Sequence, residues 1–360
     1  YSNAFFVSVT SFCTICLENG YPMGFKEKVL IIRFSSFGDI VQCMSVVSHL
    51  RKKYPDSEIH WVTKQEFSSL LELHSGISKV WALDKKSNLA TLFRLANLLK
   101  KEKFTIIYDA HKNLRSLFMS CILNPFSILS TFFPKRLKWY SRSKNRLKRF
   151  FLFKLRINFF DKPFKGALSY LKPLREDRKE QLFLSKNTWN FPHQVKERVE
   201  GLLFKNESFV CLAPSAAWEM KRWPVKYWKK LIEMNPNRKF IILGGPKDHF
   251  CKDFEDLYPE RVKNLAGRLN LVESCFAIFK GDLLLSADTG LLHVADHLGK
   301  KAIALLGPTA FGDPSGEWVT SIKSDLPCQP CSKDGRGKCS QDVYQNCMIK
   351  ITPELVSSYI

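Results

Sequence analysis

The strongest constraint on the fold is a rhythm of short apolar runs, each followed by a polar turn and a longer helical period. Residues 28–33 (KVLIIR) read as a buried strand, and Gly38-Asp39 opens a helical stretch to about residue 54. Strands follow at 58–62 and 80–83, then a helix at about 89–101 and a strand at 105–109. The alternation restarts with strands at 209–213, 239–244, 282–286 and 302–306. Strands that are apolar throughout are buried on both faces, so the pattern predicts parallel sheets covered by helices. The expected architecture is α/β: two Rossmann-like, doubly wound domains, residues 26–170 and 171–360, facing a central cleft. Residues 1–25 are an N-terminal extension whose place in the protein the sequence does not decide. They lack the cationic start and cleavage site of a signal peptide.

Composition narrows the class. Of 360 residues 45% are hydrophobic and 25% charged, which excludes a disordered chain or a disulfide scaffold. Lys and Arg number 56 against 34 acids, a net charge of +22 that expects an anionic partner. Half of that excess lies in residues 135–165, with twelve Lys or Arg and one acid, Asp161, among Phe, Leu, Trp and Tyr. The segment reads either as an amphipathic helix with a solvated basic face or as a platform for an anionic membrane surface, and its charge density favours the platform. Residues 116–134 are uncharged, but Asn124-Pro125 interrupts them, so a helix end, a turn and a buried strand are expected there rather than a membrane span. The expectation is a soluble protein that touches a membrane.

Polar motifs stand at the strand ends. Asp39 follows Gly38 at a helix start, where an acid is either a cap or a general base facing the cleft. Lys221-Arg222 lies between Trp218 and Trp223, a cation pair suited to phosphate, or else a plain helix start. Gly244-Gly245-Pro246-Lys247-Asp248 ends a strand where backbone can approach a ligand and Asp248 can meet ribose hydroxyls; a simple turn explains the same residues. In Asp288-Thr289-Gly290-Leu-Leu-His293 a strand gives way to a helix whose free N–H groups suit a diphosphate. There Asp288 can also be a cap, and His293 a satisfied core residue.

Taken in order with Arg33-Phe-Ser-Ser-Phe-Gly38-Asp39 and Asp109-Ala-His111-Lys-Asn113-Leu-Arg115-Ser116, these motifs resemble the glycosyltransferase family 9 heptosyltransferases of lipopolysaccharide core assembly. The similarity runs from about residue 28 to the C-terminus. The resemblance implies a GT-B fold and inverting, metal-independent transfer of heptose from ADP-heptose to a lipopolysaccharide inner-core acceptor, at the inner face of the cytoplasmic membrane. It implies Asp39 as catalytic base and Lys221, Asp248, Asp288, Thr289, Gly290 and His293 as donor contacts. Asn113 and Arg115 fall in the acceptor-side motif. Gln42 and Ser45 stand where some members carry His and Pro.

Four of the eleven cysteines crowd the tail as C-x2-C-x7-C-x7-C, at Cys328, Cys331, Cys339 and Cys347. Four thiolates so close could hold structural zinc or iron away from the chemistry, or remain reduced and unliganded. Protein-modifying heptosyltransferases that this chain resembles use such cysteines for iron, so a protein O-heptosyltransferase is one rival reading. A basic nucleic-acid-binding protein with a metal knuckle is another. It leaves the cleft motifs unexplained, and no nucleic-acid partner is expected.

Overall fold

The computed structural model describes residues 26–84, 86–124, 137–175, 177, 182, 184, 186 and 189–360. The N-terminal extension 1–25 and residues 125–136 lie outside the described residues; the latter include the expected turn and buried strand of the uncharged run and Lys135 and Arg136 of the basic segment.

Two parallel sheets organise the chain. The first contains β1 (Lys28–Ile32), β2 (Glu58–Lys64), β3 (Lys79–Leu83), β4 (Ile106–Asp109) and β5 (Lys138–Ser141), in the order β3-β2-β1-β4-β5. The second contains β6 (Phe209–Ala213), β7 (Lys239–Ile242), β8 (Val262–Asn264), β9 (Leu283–Ala287), β10 (Ala302–Leu306) and β11 (Val319–Lys323), in the order β11-β10-β9-β6-β7-β8. Both run outward from a central strand and reverse direction beside it, between β1 and β4 in one sheet and between β6 and β9 in the other. Such a reversal opens a crevice at the carboxyl ends of the two strands, the usual ligand position in an open α/β sheet.

The central strands are apolar because helices cover both of their faces. In β1 the residues Val29, Leu30, Ile31 and Ile32 are fully buried, with Val29 and Ile31 in one core cluster and Leu30 and Ile32 in another. This partition follows from the two-residue period of a strand. Each aliphatic side chain so buried contributes roughly 1.5–3 kcal/mol relative to exposure.

The helices of the first half are α1 (Phe37–Lys53), α2 (Ser68–Leu71), α3 (Leu89–Lys101), α4 (Leu114–Leu123), α5 (Arg146–Lys154) and α6 (Gly166–Leu171). Those of the second are α7 (His193–Glu200), α8 (Val225–Met234), α9 (Lys252–Leu257), α10 (Leu271–Lys280), α11 (Gly290–Leu298), α12 (Asn346–Ile349) and α13 (Pro353–Ser357). Their starts are set by short polar side chains. Asn88 accepts from the Thr91 N–H at 2.9 Å, and Asn270 and Glu273 exchange hydrogen bonds of 2.8 and 2.9 Å at the head of α10. At the end of α11, Gly299 takes φ 69°, the left-handed conformation that stops a helix at little cost only with glycine.

The basic segment is not one continuous helix. Its described part supplies the edge strand β5 and then α5, because Trp139 and Tyr140 favour a strand and Ser143-Lys144-Asn145 breaks the chain before Arg146. Among the described residues no helix is long and apolar enough to cross a membrane.

Candidate active site

The loops at the two sheet reversals carry the polar motifs, and the helices that follow them meet. A Cβ added to Gly38 would lie 2.9 Å from the His293 ring, and one added to Gly290 would lie 2.1 Å from the Phe37 ring. Glycine at both positions lets α1 and α11 touch end to end. Gln42 Nε2 lies 2.7 Å from His293 Nε2 across this junction. Burial above all pushes the His293 imidazole below its ordinary pKa, against the pull of Asp288, Asp296 and Asp39. The neutral ring can therefore accept from the Gln42 amide at Nε2, with its proton on Nδ1.

Asp39 sits in the first turn of α1, where the helix cap is Ser36 rather than Asp39 itself. The Ser36 hydroxyl donates to Asp39 Oδ2 at 2.7 Å, and the Ser36 backbone N–H lies 3.4 Å from the same oxygen. Arg33 Nη2 stands 2.7 Å from Oδ2, and the Tyr170 hydroxyl donates to Oδ1 at 3.0 Å. Burial alone would raise the Asp39 pKa. The Arg33 charge, then the Ser36 bond, Arg142 and Tyr170 outweigh it and hold the carboxyl well below the carboxylate range. Its side chain is still 39% accessible, so this ionised group lies in the open floor of the crevice.

The support beneath Asp39 is extensive. Arg33 Nη1 donates to the Ala110 carbonyl at 2.8 Å, which ties the β1 loop to the β4 loop. Tyr170, on α6, is fully buried apart from its bond to Asp39, and the Arg142 guanidinium lies 3.7 Å from its ring centroid. Tyr170 and Arg142 carry no marker in the sequence. They lie 131 and 103 residues beyond Asp39, and only β5 and α6 bring them back.

The second half presents Lys221 and Asp288. Lys221 Nζ donates to the Asp288 carbonyl at 2.5 Å and stands 3.4 Å from its carboxylate, while His293 Nε2 is 3.7 Å from the other Asp288 oxygen. The cap of α11 is Thr289, whose Oγ1 accepts from the Leu292 N–H at 3.4 Å and contacts Ser286 Oγ at 2.9 Å. Gly290 then begins the helix with its amides directed at the crevice. This set joins a fixed cation to a helix N-terminus, an arrangement that can neutralise a diphosphate.

Other expected contacts are held within the protein. Asp248 accepts from Ser215 Oγ at 2.5 Å and from the Gly245 N–H at 2.7 Å, so the carboxylate closes its own loop. Asn113 caps α4 by accepting from the Ser116 N–H at 2.9 Å. Arg115 is exposed in the first turn of that helix. Of the two tryptophans around Lys221, Trp223 is a core residue donating to the Ile351 carbonyl at 2.7 Å, and Trp218 is exposed with Arg336 over its ring at 4.8 Å.

The sequence of the cysteine tail allows either a structural metal site away from the chemistry or a set of unliganded thiols. Cys328, Cys331, Cys339 and Cys347 are near enough for charge on one thiol to affect another, and burial first, then those neighbours, pushes the Cys347 thiol up to about 11. Yet among the described residues no three His, Cys, Asp or Glu side chains form a group that could hold a metal ion. Cys347 faces the packed core beside Met348 and Gly307, and Cys328 packs against that core. Nor is the tail remote from the site. A Cβ added to Gly335, at φ +91°, would lie 2.6 Å from Lys221 Cγ and 3.2 Å from Trp218 Cβ.

Known proteins share this fold. Residues 92–339 match glycosyltransferase family 9 (heptosyltransferase). Lipopolysaccharide heptosyltransferase 1 of Campylobacter coli is 25% identical over 301 residues, which cover 78% of this chain and 84% of that protein. Lipooligosaccharide heptosyltransferase 2 of Haemophilus influenzae is 25% identical over 355 residues, 91% of this chain and 96% of that one. The solved ADP-heptose lipopolysaccharide heptosyltransferase II of E. coli shares the fold with a TM-score of 0.67 at 17% identity, over 92% of this chain and 96% of that one. The two doubly wound sheets are thus those of the GT-B heptosyltransferases, and the chain is a glycosyltransferase that belongs to family 9.

Proposed function

We propose that the chain transfers heptose from ADP-heptose to a lipopolysaccharide inner-core acceptor, with inversion at the anomeric carbon and without a catalytic metal. The observation that carries this reading is the meeting of α1 and α11, which sets an ionised carboxylate on one side of the junction and Lys221 with a helix N-terminus on the other. The names of the relatives supply the sugar and the nucleotide.

Inversion needs a base behind the acceptor hydroxyl and a stabilised leaving group on the opposite face of the sugar. The acceptor oxygen bonds to the anomeric carbon as the bond from that carbon to the ADP oxygen breaks, and the departing electron pair goes to ADP. Asp39 takes the hydroxyl proton. Its low pKa suits a late transfer, because the hydroxyl becomes strongly acidic only once it begins to bond to carbon. Lys221, now bridging to Asp288, turns to the diphosphate, and the α11 amides take the remaining charge. Asp248 and His293 shape the donor side, and Asn113 holds the loop that presents Arg115 to the acceptor.

The membrane-facing element in this reading is α5 and the turn after it. Leu147, Phe150, Leu155, Ile157 and Phe159 are each 46–76% exposed among Arg146, Lys148, Lys154 and Arg156. Apolar side chains set among cations fit an anionic lipid surface at the cytoplasmic face. Co-flotation with anionic vesicles should fall sharply in the double variant Leu147→Asp/Phe150→Asp; unchanged flotation rejects this surface.

The central test is ADP release from ADP-heptose with a heptose-free core glycolipid, comparing the parent protein with Asp39→Ala. Acceptor-dependent release that disappears in the variant supports both the reaction and the base. Failure to bind ADP-heptose at all rejects the reading.

A further inference from the structure

Every residue of α11 from Leu292 to Leu298 is buried, and one of them is an acid, Asp296, that the reaction does not use. Both of its carboxylate oxygens accept backbone N–H groups, Oδ2 from Ser315 at 2.7 Å and Oδ1 from Gly316 at 2.8 Å. The Trp318 indole donates to the Asp296 carbonyl at 2.8 Å. Burial raises the Asp296 pKa although the two amide bonds oppose it, so the acid carries a cost that an apolar side chain would avoid. In return it folds the loop between β10 and β11 back onto α11.

That loop reaches the other half of the chain. Ser315 Oγ, itself buried, accepts from the Ala167 N–H at 3.0 Å, across 148 residues of sequence. Ala167 stands in the first turn of α6, where amides have no partner inside the helix. The residue before the helix, Lys165, makes no side-chain cap, so a serine of the second half caps a helix of the first. With six residues α6 is far too short to be stable by itself, and its contacts decide its direction.

The helix leads to the reaction centre. Tyr170, three residues after Ala167, donates to Asp39 Oδ1 at 3.0 Å, and its carbonyl accepts from the Tyr108 hydroxyl at 2.8 Å. Gln42 and His293 close the circuit. His293 lies one turn before Asp296 on α11, Gln42 lies one turn after Asp39 on α1, and their Nε2 atoms are 2.7 Å apart.

We infer that Ser315, held in place by Asp296, is a positioning residue for the transfer: by capping α6 it fixes where Tyr170 holds the Asp39 carboxylate relative to the donor helix α11. The inference rests on the transfer reading above and adds to it residues that touch no reacting atom. A serine that only joined the two halves would act equally whether or not Tyr170 could reach Asp39.

The test has two arms. In the first, steady-state kinetics and ADP titrations compare the parent protein with Ser315→Ala, Tyr170→Phe and the double variant. Ser315→Ala should lower kcat by about tenfold while acceptor KM and ADP affinity stay within about threefold, since displacements near 1 Å cost up to about a hundredfold. Tyr170→Phe already cuts the link to Asp39, so the double variant should stay within about twofold of it. Losses that multiply in the double variant, an unchanged kcat in Ser315→Ala, or an equal loss of ADP affinity overturn the inference.

The second arm needs no turnover. Amide hydrogen exchange over residues 166–171 should quicken by about fivefold in Ser315→Ala and in Asp296→Asn, the effect of losing one helix cap, with α1 unchanged. Exchange as slow as in the parent protein overturns the cap. If the parent protein transfers no heptose yet exchange responds in this way, the transfer reading fails and the cap between the halves stands.

Discussion

A Cβ on Gly290 would sit 2.1 Å from Cδ1 of Phe37, a distance that no real pair of carbons tolerates. The contact of α1 with α11 therefore depends on a hydrogen atom in place of a methyl group. Gly290→Ala should lower turnover by about tenfold or more, since displacements near 1 Å at a catalytic junction cost up to about a hundredfold. The double variant Phe37→Ala/Gly290→Ala should recover part of the loss, because it removes the obstacle. Steady-state kinetics on the single and double variants check this, and a double variant slower than Gly290→Ala alone would refute it.

In the proposed reaction Lys221, now held by Asp288, meets the diphosphate of the donor. Lys221→Met should weaken ADP binding by about 10–100-fold, the loss of one charge-assisted contact of about 1.5–3 kcal/mol. Titration calorimetry with ADP measures it directly. A variant that binds ADP as the parent does would move the diphosphate elsewhere.

The Arg33 charge at 2.7 Å keeps Asp39 ionised at ordinary pH. A depressed folded-state pKa gives stability that is present above the unfolded value and is lost only as pH falls through the folded one. Between about pH 5 and 8 neither stability nor kcat/KM should therefore show an acid limb from Asp39 in the parent protein. Arg33→Met removes the neighbouring charge and should bring such a limb up toward the ordinary carboxylate range, visible in the pH profile of kcat/KM.

His111 lies in the loop after β4, and burial above all, followed by the Arg33 charge, lowers its pKa to about 4. The sign is that of a group bound to fewer protons in the folded state: its contribution is complete above about pH 6.5 and drains away as pH falls toward the folded value. The parent protein should lose more thermal stability between pH 7 and 5 than His111→Gln does. Equal slopes in Tm against pH would show that this ring does not titrate with unfolding.

Much of the architecture can be read from periodicity, because strands buried on both faces leave continuous apolar runs. The ranges 209–213 and 302–306 agree with β6 and β10 residue for residue, and 89–101 with α3. Three sheet members escape that reading: β5, β8 and β11. β5 is masked by the basic residues around Trp139, β8 is only three residues long, and β11, at a sheet edge, buries only Val319 and Ile322 and so shows no two-residue period. The site divides in the same way. Asp39, Lys221 and Asp288 stand out locally because each follows a strand at a turn. Tyr170 and Arg142 do not, since their importance arises only when distant elements close around the first carboxylate.

The fold of Gly335 against Lys221 gives the last thirty residues a part in a site to which they contribute none of the residues first suspected. Ile351 receives the Trp223 indole, Gln345 reaches the backbone of Arg222 at 3.4 Å, and α13 packs on α8, the helix that follows the Lys221 turn. A protein trimmed before Cys328 would keep every strand and every cleft motif. It would nevertheless expose one flank of the lysine to water and unmoor the turn that aims it.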